Sequence, residues 1–213
     1  MPTRVLIAVG RQVWRDALRV AFSQWDVGIV AETGDGRDAV ALAITHRPDV
    51  VVIESVMPGL NGPDATRMIL AEVPSVAVIV VSPYADWDVV TRSMRAGASA
   101  YVLSDGGLDE LRMALTEVEN KRVYISAAAE AAVLSSLDRF GKDVTANILT
   151  PREREVLQLL SEGKPTKETA DILKISAKTV ETHRRHVMKK LGIYTVAGLT
   201  KFAIRTRLIS LDD

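Results

Sequence analysis

The sequence of 213 residues contains no cysteine and no long apolar run. The absence of cysteine excludes disulfides, thiolate nucleophiles, cysteine-ligated zinc and iron–sulfur clusters. No run approaches the roughly 18 apolar residues of a membrane helix, and the N-terminus shows no cleavable signal pattern. The composition is that of a globular protein, with 47% hydrophobic and 25% charged residues. We therefore expect a soluble, cytoplasmic protein of two small domains with no membrane partner.

The formal net charge of zero conceals an unequal distribution of charge along the chain. Residues 1–120 hold 10 Lys and Arg against 16 Asp and Glu, whereas residues 149–213 hold 13 against 8. This asymmetry indicates an acidic regulatory or enzymatic unit joined to a basic unit that binds a polyanion. Nucleic acid is the obvious candidate for that polyanion.

Five short apolar runs rich in β-branched residues alternate with helix-length segments in residues 1–120. The runs cover residues 5–9, 27–31, 50–53, 76–81 and 100–103. In the first helical segment, one face carries Val13, Ala17, Val20 and Ala21. The pattern predicts an α/β domain with a doubly wound, five-stranded parallel sheet covered by helices on both faces. Ligands of such sheets bind where the strands end, here at Val9, Gly10, Glu54, Ser82 and Ser104.

Residues 121–147 are predicted to form a linker that contains an alanine-rich helix followed by a polar tether with Gly141 and Asn147. Residues 148–213 are predicted to be entirely helical. A first helix begins at about residue 151, with Thr150 as its cap and Glu153 completing a capping box, and runs to Gly163. A short helix precedes a longer one over 177–191, which Ser176 caps, and a last helix covers 195–207. Two helices joined by a tight turn form a helix-turn-helix.

The predicted helix 177–191 has two distinct faces. The core face carries Val180, His183, Val187 and Leu191. The opposite face carries Lys178, Thr182, Arg185 and Lys189. Arg reads guanine edges, and Lys and Thr bind phosphates, so the second face suits the major groove of double-stranded DNA. A solvated surface helix is the alternative, but the position of the stripe in a helix-turn-helix of the basic domain favours DNA.

The segment LTPREREVLQLLSEGKPTKETADILKISAKTVETHRRHVMKKLGI resembles the LuxR-type helix-turn-helix of bacterial transcription factors. The resemblance makes TVETHRR part of the recognition helix and implies base contacts by Glu181, Thr182 and Arg185. It implies further DNA contacts by Thr166, Lys167, Lys178, Thr179, Arg184 and Lys189. The last helix resembles the dimerisation helix of this family, which implies a homodimer interface through Val196, Leu199, Phe202 and Ala203. Packing of these residues onto the domain's own core is the alternative.

The first 120 residues, and the segment RPDVVVIESVMPGLNGPDA above all, resemble the flavodoxin-like receiver domain of two-component response regulators. A receiver, a linker and a LuxR-type domain together resemble the NarL/FixJ subfamily. In that family the position of Glu54 holds the phosphoacceptor aspartate, and Val9 and Gly10 stand where an acidic pair binds Mg²⁺. Ser104 replaces a lysine, whereas Ser82 and Tyr101 follow the family pattern.

The departures from this pattern weaken the phosphorylation chemistry. Phosphoryl transfer to a carboxylate needs a divalent cation and a positive group that holds the product. Val9 and Gly10 offer no side-chain oxygen, and Glu is one methylene longer than Asp. We therefore expect a degenerate receiver, with no metal and no cofactor, that does not depend on phosphorylation.

Three interpretations of Glu54 remain open. It mimics a phosphorylated aspartate, it is an ordinary solvated carboxylate, or it pairs with Arg11 near the same pocket. Together the patterns predict a homodimeric, DNA-binding transcriptional regulator. In the alternative, an unidentified small ligand or partner protein of the receiver controls DNA binding. An enzyme is disfavoured, because no nucleophile–base pair, metal set or glycine-rich phosphate loop follows any strand.

Overall fold

The predicted apolar runs form parallel strands with a helix after each. The computed structural model describes residues 2–140 and 148–210, and the chain divides into two compact units, 1–142 and 143–213. The strands are β1 (Thr3–Ala8), β2 (Val27–Thr33), β3 (Val50–Glu54), β4 (Ala77–Ser82), β5 (Ala100–Leu103) and β6 (Tyr124–Ile125). The helices of the first unit are α1 (Gln12–Gln24), α2 (Gly36–His46), α3 (Gly62–Glu72), α4 (Trp87–Arg95), α5 (Gly107–Glu119) and α6 (Ala127–Phe140).

The sheet has the order β2-β1-β3-β4-β5-β6, and every neighbouring pair is parallel. Its central strands β1, β3 and β5 are almost fully buried because helices cover both faces. Helices α2, α3, α4 and α6 pack on one face, and α1 and α5 pack on the other. The predicted doubly wound α/β fold is confirmed, with six strands instead of five.

The predicted apolar face of α1 is largely wrong. Val13 and Val20 are 79% and 60% exposed. The helix instead buries Leu18, Ala21 and Phe22 against the sheet. Both sets of residues have helical spacing. The set with the larger side chains packs on the sheet, because packing this set buries more apolar surface.

The predicted linker, 121–147, begins with structure that belongs to the first unit. Strand β6 pairs with β5, and α6 packs on the α4 side of the sheet through the fully buried Ala129. Ser126 joins the two elements, and its Oγ accepts a hydrogen bond from the backbone N–H of Leu103 at 2.9 Å. The first compact unit therefore continues past residue 120 and includes β6 and α6. The predicted polar tether with Gly141 and Asn147 lies outside the described residues.

Four helices form the described part of the second unit. They are α7 (Pro151–Ser161), α8 (Thr166–Leu173), α9 (Ala177–Leu191) and α10 (Val196–Arg205). The capping box of Thr150 and Glu153 forms as predicted, and Ser176 caps α9 at the predicted residue. Two small apolar clusters hold the helices together, one around Leu157 and Val187 and one around Val156 and Val180.

Across the described ranges, the helices are too short or too polar to cross a bilayer.

Candidate strand-end pocket and nucleic-acid interface

The carboxylate of Glu54 is bound by the backbone that follows β1. The N–H of Gly10 donates to Oε2 of Glu54 at 2.9 Å. The preceding side chain, Val9, is only 3% exposed and packs in the core. At this loop the pocket is therefore lined by backbone groups of Val9 and Gly10 and not by the Val9 side chain.

Arg15, which the sequence interpretation missed, supplies a positive charge to the same loop. Its Nη1 donates to the carbonyl oxygens of Val9 and Gly10, the second at 2.7 Å. The loop is thus held from two sides, through its carbonyls by Arg15 and through its N–H by Glu54. The sequence feature that could have indicated this role is the position of Arg15 in the first turn of α1, one helical turn after Arg11. Arg11 itself is the N-cap residue of α1, and its pairing with Glu54 stays a prediction.

Ser82 and Tyr101 belong to a buried hydrogen-bond network behind the strand ends. Both are fully buried. The hydroxyl of Ser82 accepts from Ser55 Oγ at 2.8 Å and from the N–H of Tyr84 at 3.1 Å. The hydroxyl of Tyr101 donates to the carbonyl of Tyr84 at 2.6 Å, and burial raises the pKa of the Tyr101 hydroxyl. These two predicted pocket residues therefore interact through Tyr84, which the sequence interpretation missed together with Ser55.

The remaining pocket residue, Ser104, begins a 3₁₀ turn directly after β5 and is half-buried. The register aligns Glu54 with Val81 and Ser82 with Leu103, so all of these strand ends lie at the same sheet edge. Across residues 2–140 and 148–210, no group of three or more His, Asp or Glu side chains is arranged to hold a metal ion.

Helix α9 separates a buried face from a basic one. Val180 and Val187 are buried at 0% and 1% exposure, and His183 and Leu191 are half-buried. The basic face exposes Lys178, Arg185 and Lys189, with the half-buried Thr182 between them. Thr182 donates its hydroxyl to the carbonyl of Lys178 at 2.9 Å.

The N-terminus of α8 meets the second turn of α9. Thr166 is half-buried and Lys167 is exposed. Thr166 Oγ1 donates to Oε1 of Glu181 at 2.8 Å, and Nη1 of Arg184 lies 3.6 Å from the same oxygen. Thr179 contacts the helix cap, because its N–H donates to Ser176 Oγ at 3.0 Å. The structure thus brings Thr166, Glu181 and Arg184 into one cluster.

An ion pair that the sequence interpretation missed ties α9 to the start of α7. Nζ of Lys190 lies 2.6 Å from Oε2 of Glu153, and Glu153 is only 4% exposed. Burial alone would raise the pKa of Glu153, but the hydrogen bonds from Lys190 and Thr150 outweigh it and lower the pKa below its usual value. The pair helps to fix the orientation of α9.

The four predicted dimerisation residues separate into two groups. Leu199 and Ala203 are 2% and 0% exposed in the core of the second unit. Val196 is 48% exposed, and Phe202 is half-buried against the same core. The structure favours the packing interpretation for Leu199 and Ala203, which corrects their assignment to a dimer surface.

Each of the two compact units matches a known protein family. Residues 5–116 match "Response regulator receiver domain", and residues 147–203 match "Bacterial regulatory proteins, luxR family".

Similar proteins include two curated relatives and one protein of known structure. The transcriptional regulatory protein MctR of Rhizobium johnstonii is 31% identical, with 97% of this chain and 95% of MctR covered. The transcriptional regulatory protein LiaR of Bacillus subtilis is also 31% identical, with 97% and 99% covered. RcsB of Salmonella enterica serovar Typhimurium bound to promoter rprA has a TM-score of 0.66 at 22% identity, with 95% and 98% covered. Another RcsB structure, of two dimers bound to two parallel DNAs, has a TM-score of 0.59 at 22% identity, with 95% and 98% covered.

The receiver match spans more than half of the chain, and the relatives cover nearly all of it. The protein therefore belongs to the DNA-binding transcriptional response regulators of the NarL/FixJ type, in which a receiver domain precedes a LuxR-family domain.

Proposed function

We propose that the protein binds double-stranded DNA by inserting the basic face of α9 into the major groove. The observation that carries this proposal is the exposed stripe of Lys178, Arg185 and Lys189 opposite a face that is buried in the core. A helix of this kind offers cations and a threonine methyl to base edges and phosphates without disturbing its own packing. Lys167, which is exposed at the start of α8, directly follows Thr166, whose hydroxyl bonds to Glu181 of α9.

The test is a fluorescence-anisotropy titration of DNA over a salt series. Arg185→Ala is expected to cost about 1 to 3 kcal/mol of binding and to relax the preference at one base pair. Lys189→Ala is expected to weaken binding to all sequences alike and to reduce the salt slope by about one unit. Lys201→Ala, an exposed lysine on α10, is the matched control and should bind as wild type. Wild-type behaviour of both α9 variants would contradict the assigned face.

We further propose that the receiver is atypical and works without phosphorylation. Its strand-end pocket contains Glu54, whose carboxylate is bound by the N–H of Gly10. The positively charged guanidinium group of Arg15 already donates hydrogen bonds to the neighbouring carbonyls of Val9 and Gly10. A divalent cation at this position would meet that charge, and neither Val9 nor Gly10 would offer it a side-chain oxygen. The loop is thus held by the chain's own groups.

Incubation with acetyl phosphate and Mg²⁺ tests this second proposal. We expect the intact mass and the DNA affinity of the wild-type protein to remain unchanged. Glu54→Gln is the matched control, because it removes the carboxylate and keeps its size. A phosphoryl adduct that forms on the wild type and is absent from Glu54→Gln would contradict the proposal.

We also propose that the protein acts as a homodimer on two half-sites. RcsB, which shares the fold, is described as dimers on DNA, and the exposed Val196 and half-buried Phe202 of α10 offer apolar contact area. The expected operator has half-sites about one helical turn apart, or a multiple of that spacing. Binding of a single protomer per operator in analytical ultracentrifugation would contradict this proposal.

A further inference from the structure

Glu181 is an acidic residue near the basic face of α9, and one of its two carboxylate oxygens is held within the protein. Thr166 Oγ1 donates to Oε1 at 2.8 Å, and Nη1 of Arg184 lies 3.6 Å from the same oxygen. Within the described ranges, no hydrogen bond or ion pair reaches Oε2. The Glu181 side chain is 45% exposed, so Oε2 remains available as an acceptor.

A carboxylate in this position lowers the affinity for DNA unless it finds a donor. It repels phosphates, and it is placed among cations whose attraction to DNA does not depend on sequence. In the major groove, cytosine presents its N4 amino group as a donor, and Glu accepts from it. An acidic side chain among cations therefore contributes discrimination rather than affinity, because it penalises sequences without the matching amino group.

Thr166 reduces the freedom of this acceptor before DNA arrives. A glutamate on a helix surface samples many rotamers, and fixing them on binding costs free energy. The bond from Thr166 ties Oε1 to the first residue of α8, a separate helix, and leaves Oε2 as the acceptor. A carboxylate held in this way recognises a donor with less loss of entropy and with a more restricted geometry.

We propose that Glu181 reads a cytosine in each half-site through Oε2, and that Thr166 is the positioning residue that orients Glu181 for this contact. Thr166 thus acts through Glu181 rather than on DNA alone. The inference rests on the proposed binding of α9 in the major groove and adds the base that one of its residues selects.

The experiment is selection of preferred duplexes from a random pool by the full-length protein, followed by titration of the selected duplex and its single-base variants. We expect wild type to select a cytosine at one position per half-site. Glu181→Ala should reduce the preference for that cytosine about fivefold or more, with equal or tighter binding to unselected DNA. Thr166→Val, which keeps the shape of the side chain and removes the donor, should weaken the same preference in part. Thr166→Ser, which keeps the donor, should retain it.

The possible outcomes separate this inference from the proposed function. A preference unchanged in Glu181→Ala would overturn the reading of cytosine. A preference lost in Glu181→Ala but intact in Thr166→Val would overturn the positioning role. Equal weakening of all duplexes by Thr166→Val would show that the bond serves only to join α8 to α9, and would also overturn that role. Failure of the wild type to bind any duplex would instead contradict the proposed DNA-binding face, and thermal unfolding of each variant confirms that it is folded.

Discussion

The segment after residue 120 is expected to stabilise the receiver unit, and Ser126→Ala tests this directly. Ser126 is 1% exposed and links β6 to α6 at the edge of β5. Its N–H donates to the carbonyl of Tyr101 at 2.9 Å, and its Oγ accepts from the N–H of Leu103 at 2.9 Å. The substitution keeps the first bond and removes the second, so a buried backbone N–H loses its acceptor.

The expected loss of stability follows from that unsatisfied group. Leaving a buried donor without a partner costs about 1 to 3 kcal/mol. With a urea dependence of about 2 kcal/mol per molar, typical of a small domain, the unfolding midpoint of the receiver unit should fall by roughly 0.5 to 1.5 M. Removal of one oxygen leaves little empty volume, so the lost hydrogen bond accounts for most of the effect.

Tryptophan fluorescence is the assay, because all three tryptophans, Trp14, Trp25 and Trp87, lie in the receiver unit. The signal therefore follows unfolding of that unit in the full-length chain. Ser135→Ala is the matched control, since Ser135 is exposed on α6 and donates only to a carbonyl of its own helix. This control should remain within about 0.5 kcal/mol of wild type. Equal midpoints for Ser126→Ala and wild type would refute the view that this segment is part of the receiver.

Three further predictions concern ionised groups. Because the pKa of Glu153 is lowered in the folded state, the contribution of its carboxylate to folding stability is complete above the ordinary pKa of 4.5 and is lost as the pH falls through the folded-state pKa. Acid titration followed by circular dichroism should show a smaller loss of stability in Glu153→Gln and Lys190→Met than in wild type. Three identical acid transitions would contradict this. Arg15→Met should lower the free energy of unfolding, followed by tryptophan fluorescence, by about 1 to 3 kcal/mol, since two backbone carbonyls lose a charged donor. Recovery of stability on addition of Mg²⁺ would contradict the assigned role of Arg15. Glu54→Gln and Arg11→Ala should alter oligomerisation or DNA affinity in the same direction, with a double variant no worse than either single one; additive effects would show that the two residues do not act together.

Local signals in the sequence were sufficient to predict the helices of the DNA-binding unit. The cap at Ser176 and the capping box of Thr150 and Glu153 form within one helical turn of the residues that specify them. The buried and basic faces of α9 likewise follow from helical periodicity. The β-branched runs predicted five strands for the same reason, since each run is continuous and bounded by polar residues.

Contacts between distant residues could not be predicted in this way. The apolar face of α1 depended on which stripe the sheet covers, and Val13 and Val20 remained exposed although their spacing is helical. Strand β6 has only two residues, which is too short a signal, and it forms because β5 offers an unpaired edge next to it.

The same limit applies to both candidate sites. The sequence identified Glu54 and Glu181 as residues of interest and gave the chemistry of each side chain. Their partners are 44 and 15 residues away in the chain: Gly10 binds the first carboxylate and Thr166 the second. Only the tertiary structure decides such pairings, because a hydrogen bond depends on distance in space and no local pattern encodes which backbone turn or helix end will lie within 3 Å of a given carboxylate.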